Sequence, residues 1–125
     1  MGTWGSGNFE NDAALDFINK QVDHYVGLIE AIFGDTERFR LDEDAESMLM
    51  PCIELLLLVC THCHGVLPKA LSVSTWKVRY LAMYDKQIDR LEPRSDFKRQ
   101  RRSIINDTFD KLLQLHEEQW KRDKE

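Results

Sequence analysis

Proline and glycine are scarce in this chain: three prolines and six glycines occur among 125 residues. Both residue types interrupt regular structure, so their scarcity favours long helices. The three cysteines, Cys52, Cys60 and Cys63, make an odd count that suits no disulfide framework. The opening residues lack the basic region and apolar run of a secretory signal, so reduced thiols and a cytoplasmic location are expected. The longest unbroken apolar run, Leu55 to Cys60, is far too short to span a bilayer, and no membrane association is expected. No glycine-rich phosphate loop, nucleophile elbow or Ser-His-Asp arrangement occurs. None of the four histidines pairs convincingly with a nucleophile. These absences lean against an enzyme.

What remains is an ordinary globular composition, 42% hydrophobic and 31% charged. The length fits one domain over residues 1–125, large enough to build a core without disulfides or metal. The net charge of −5 is unevenly spread. Residues 1–50 carry 11 acids against 3 bases, or −8, and residues 51–125 carry 11 against 14, or +3. An acidic half beside a basic half argues against a surface built wholly for nucleic acid.

Helical spacing dominates. A first helix is predicted from about Glu10 to Phe33, with an apolar stripe of Ala14, Phe17, Ile18, Tyr25, Leu28, Ile29 and Ile32 and a cap at Gly34. The connector from Asp35 reads as partly extended at Arg38–Leu41. A second helix starts near Asp42, kinks or divides at Pro51, and ends near His64 with Gly65 as cap. Its segment from Ile53 to Cys60 is apolar nearly all round, which places it centrally. A third helix runs from about Thr75 to Leu91, capped by Ser72 or Ser74, with Trp76, Tyr80, Met83, Tyr84, Ile88 and Leu91 inward. Pro93 ends it. A fourth, capped by Ser95 or Asp96, runs to about Arg122 behind Ile105, Phe109, Leu112, Leu113, His116 and Trp120. The fold class is therefore all-α, a roughly four-helix bundle-like domain.

The most distinctive stretch is the opening, Met1 to Phe17. Gly2, Gly5 and Gly7 alternate with Trp4 and Phe9, and a stretch this rich in glycine would fray unless pinned. Residues 1–9 are read as a docked arm with Trp4 and Phe9 as buried anchors. Asn8 or Asn11 caps the helix that follows, with Glu10 and Asp12 at its positive end. This opening resembles a bacterial family known only as a domain of unknown function. Its members begin Met-Gly-x-Trp-Gly-x-Gly-x-Phe-Glu-Asn-Asp, followed by an Ala-Leu-Asp-Trp/Phe helix start. Ala45 to Val59 and Ile104 to Trp120 are more loosely similar to the family's second and closing helices, and Pro51 and the leucine run depart from the usual alanine-rich form. The resemblance implies no particular activity. Trp4, Phe9, Glu10, Asn11, Asp12 and Asp16 form the family-signature patch. Gly2 and Ser6 also fit an N-myristoylation pattern, for which a structural turn is the favoured reading.

Two clusters carry possible chemistry. Glu10, Asp12 and Asp16 could form a carboxylate site, with charge complementary to a helix start as the favoured reading. Cys60-Thr61-His62-Cys63-His64 fits the attachment motif of c-type haem, and Cys60, Cys63 and His64 could ligate zinc, with His24 or His116 completing the shell. All three lie on one helix, which cannot surround an ion, so core thiols with histidines at a helix end are the favoured reading and no cofactor or metal is expected. The basic run Lys98-Arg99-Gln100-Arg101-Arg102 could contact phosphate or an acidic protein, or face the acidic first half. The reading that follows is a small, cytoplasmic, non-catalytic protein-interaction module, with an immunity or antitoxin-like protein as one concrete form. The alternative is a metal-binding protein or enzyme using the carboxylates or the Cys60/Cys63/His64 cluster. A protein partner is expected, and the oligomeric state is open.

Overall fold

The computed structural model describes residues 2–121. Four α-helices carry the fold: α1 (Asp12–Phe33), α2 (Met50–His62), α3 (Val73–Gln87) and α4 (Ser95–Gln119). A π-helical turn, Ala45–Leu49, leads into α2, and a 3₁₀ turn, Ile88–Leu91, extends α3. The described residues hold no strand, only one isolated bridge between Thr3 and Asn11. The expected extended piece at 38–41 is a series of turns. Asp35 organises them by accepting from the N–H groups of Glu37 and Arg38. The expected end of the fourth helix, Arg122, lies outside the described residues.

The helices pack in the order α1, α2, α4, α3. The α2–α4 seam is lined at one end by Met50, Pro51 and Ile104 and at the other by Thr61, His62 and Leu115, so these two helices run parallel. Direct contact between parallel helices departs from a simple up-and-down square. The core is built from Val22, Val26, Ile29 and Ile32 of α1, Ile53 and Leu56 of α2, Tyr80 and Tyr84 of α3, and Ile105, Phe109 and Leu112 of α4. Phe33, Phe39, Trp76, Tyr80 and Phe109 form a chain of ring contacts through it. Arg79 covers the outer end, with its guanidinium 4.9 Å from the centre of the Phe33 ring and a hydrogen bond to the Phe33 carbonyl.

Pro51 explains the division of the second helix. It has no N–H to donate to residue 47, and its ring would press on that carbonyl. The chain widens by one residue instead, and Met50 donates to the carbonyl of Ala45. Pro51 then falls in the first turn of α2, where a missing donor costs nothing. Counting only unbroken apolar residues also understated this stretch. Ala45–His62 is an 18-residue helical span of mean hydropathy 1.4, enough by length and composition to cross a membrane, yet it packs here against α1 and α4.

Candidate functional site

The arm folds back on itself. Asp12 N–H donates to the carbonyl of Gly2 at 2.6 Å, Trp4 to that of Glu10 at 3.0 Å, and Glu10 to that of Gly7 at 3.2 Å. Asn11 is the N-cap of α1, its side chain accepting from Ala14 N–H at 2.9 Å. The glycines here serve close approach, since no described glycine has a positive φ. A methyl group on Gly2 would overlap the Asp12 carboxylate, and one on Gly5 would overlap that of Glu10.

The expectation of buried anchors is corrected. Trp4 is 51% exposed and Phe9 only half-buried. The arm is short and held by its own backbone, so its tryptophan lies on the domain rather than in it. Its indole meets the imidazole of His64 edge-on, with centroids 5.3 Å apart and planes at 71°. Phe17, expected inward, is 59% exposed on α1. Val22 and Val26 take the inner face instead, in a series of three- and four-residue spacings with buried Ile18, Ile29 and Phe33.

His64 is placed by the end of α2. It adopts the left-handed conformation, φ 65°, that a glycine usually supplies at a helix end. Gly65 serves close packing instead, since a methyl group there would come within 3.0 Å of both Val22 and Val59. The following backbone is clamped from two helices. Val66 N–H donates to Asn19 of α1 at 2.9 Å. Gln119 accepts from Leu67 N–H and donates to the Gly65 carbonyl. Trp120 Nε1 donates to the Leu67 carbonyl at 2.8 Å, and His116 Nε2 donates to those of Pro68 and Lys69. Nothing in the local sequence foretells this clamp, because its donors lie about fifty residues away.

The two chemical clusters separate. Cys60 is buried, its thiol pushed up to about 11 by burial and by neighbouring Cys63. Cys63 caps α2, half-buried, while His62 points into the α2–α4 seam and His64 turns to Trp4. His24 rests against Tyr25, and His116 is taken by the clamp. Glu10 and Asp12 lie over the arm's glycines, and Asp16 is exposed on α1. Among the described residues no group of three His, Cys, Asp or Glu side chains is placed to hold a metal ion.

The basic run is largely consumed inside the domain. Lys98 pairs with Asp89, Arg101 with Glu46, and Arg102 binds Asp85 through two contacts of 2.9 Å. The Arg102 hydrogen bonds hold the Asp85 carboxyl below its usual range. Glu46, on the π-helical turn, also accepts from Tyr80 Oη at 2.7 Å. A tyrosine inside an apolar stripe is the only trace of this network in the sequence.

The family model for a domain of unknown function, DUF4259, matches residues 2–122. The chain belongs to the DUF4259 family. No curated protein and no solved structure matches it. The DUF4259 domain exposes the Trp4–His64 contact and the hollows along the α2–α4 seam.

Proposed function

We propose that this DUF4259 domain is a non-catalytic protein-interaction module of the cytoplasm. It docks a protein partner on the surface made by the arm and the turn after α2. A protein that blocks its partner, as an immunity protein or antitoxin does, is its concrete form. The observation that carries the reading is Trp4: a large aromatic side chain, 51% exposed, on an arm held by three backbone hydrogen bonds. Preordered tryptophans are frequent energetic anchors of interfaces because they bury much area and lose little freedom. Exposed Val66 lies two residues beyond His64 and bonds through its backbone to Asn19, two residues beyond exposed Phe17. Glu10, Asp12 and Asp16 add negative charge beside this surface, which favours a basic segment on the partner. The internal pairing of the basic run favours protein over nucleic acid.

The test is a pull-down from the source cell with the full chain tagged at its C-terminus, followed by reconstitution with the purified partner. The expected result is one stoichiometric partner whose affinity falls at least tenfold on Trp4→Ala, with the melting temperature nearly unchanged. Unaltered affinity in a folded Trp4→Ala variant, or no stoichiometric partner under mild salt, would overturn the reading.

A further inference from the structure

Among the described residues the outer face of α2 and α4 is left exposed. Pro51, Leu55 and Leu58 of α2 and Ile104 of α4 are exposed along it, Leu58 to 50% and Ile104 to 54%. Two hollows of about 230 and 350 Å³ follow the seam between the helices, and Glu54 lines both. Two charges stand out. Glu54 on α2 and Lys111 on α4 line the same hollow, and neither is paired with any described residue. By contrast Glu46 and Arg101, at the other end of the seam, neutralise one another.

We infer that this face is a two-fold interface between two copies of the chain, in which Glu54 of each copy pairs with Lys111 of the other. The geometry points to the second copy as occupant. Because α2 and α4 run parallel, a two-fold axis laid along the seam exchanges them without changing height. Each α2 then lies against the α4 of the other copy. Pro51 then meets the level of Ile104, Thr61 and His62 meet that of Leu115, and the unpaired carboxylate lies within the same stretch of seam as the unpaired ammonium, twice. An isologous interface must carry its own complement in this way. The 13 residues of α2 make the face about 20 Å long. Its apolar centre with charges at the margin is the usual layout of a protein interface. No arm residue lines either hollow.

The experiment is sedimentation equilibrium on the full chain, with three variants: Glu54→Lys, Lys111→Glu, and both together. Both side chains are exposed, so the variants keep the fold, which circular dichroism verifies. The wild type is expected at twice 14.7 kDa. Each single reversal removes two ion pairs per dimer and sets two like charges together, and weakens association at least tenfold. The double swap restores the pairs and the dimer. A wild-type chain that stays monomeric up to about 1 mM, the limit of weak specific association, overturns the inference. So does a dimer that ignores the single reversals, or a double swap that fails to rescue.

Discussion

Tyr80 and Glu46 meet at 2.7 Å across 34 residues of sequence, the phenol donating to one carboxylate oxygen while Arg101 closes on the other. The contact joins α3, the π-helical turn and α4 at one point. It also gives the turn a purpose: widening the chain ahead of Pro51 places Glu46 against two partners.

Removing the carboxylate leaves Arg101, only 23% exposed, without its ion pair. Hydrogen bonds to charged groups contribute about 1.5–3 kcal/mol each, so Glu46→Ala should destabilise the fold by about 2–3 kcal/mol. Tyr80→Phe should cost about 1 kcal/mol, because the Glu46 carboxylate loses its phenol donor. Urea denaturation of the three proteins measures both.

Burial and the nearby Glu46 carboxylate push the Tyr80 phenol far above its ordinary range, and burial pushes the Cys60 thiol up to about 11. Both groups are neutral when protonated, so raised values mean that the folded state holds protons which the unfolded state releases. Stability is therefore full below about pH 8.5, the unfolded thiol value, and falls as pH rises through 9 to 11 and beyond. Unfolding free energies measured between pH 8 and 11 should decline steadily. Tyr80→Phe should flatten the part above about pH 10.

The backbone at Glu92 and at Gly65 gives opposite signs. Gly65→Ala forces a methyl group against Val22, Val59 and Cys60, and should destabilise by about 1–3 kcal/mol. Glu92 ends the 3₁₀ turn at φ 50°, exposed. Glu92→Gly removes that strain and should stabilise by about 0.5–1 kcal/mol. Thermal melts of the two variants should move in opposite directions.

Thiol labelling separates the cysteines. Cys52 and Cys60 are buried with thiols raised by burial, whereas Cys63 is half-buried at the end of α2. A neutral-pH thiol reagent should modify Cys63 in the native protein and reach Cys52 and Cys60 only on unfolding. Mass spectrometry of peptides from the labelled native protein checks the order.

The stripes of α3 and α4 were legible because their period of 3.6 is carried by large side chains. Trp76, Tyr80, Met83, Tyr84 and Ile88 are buried, as are Ile105, Phe109 and Leu112, whereas Leu91, expected inward, is 51% exposed at the end of the 3₁₀ turn. On α1 most of the stripe held: Ile18, Ile29 and Ile32 are buried, with Tyr25 and Leu28 packed against the core, and Phe17 is not. Reading Phe17 inward weighted size, whereas the helix turned Val22 and Val26 to the core. The arm's glycines give room to Asp12 and Glu10. Left-handed geometry went to His64 and Glu92.

Local chemistry by itself determined that this chain is helical, where its helices start and stop within a few residues, and that Pro51 divides the second. Those outcomes depend on hydrogen bonds closing within about four residues and on side chains repeating along one axis. Only the tertiary structure decided that Glu46 meets Tyr80 and Arg101, that α4 clamps the backbone after Gly65, and that Trp4 stays in view. Each of those depends on the rotation and packing order of whole helices. A charge or an aromatic ring in sequence carries no record of which distant neighbour that packing will bring beside it.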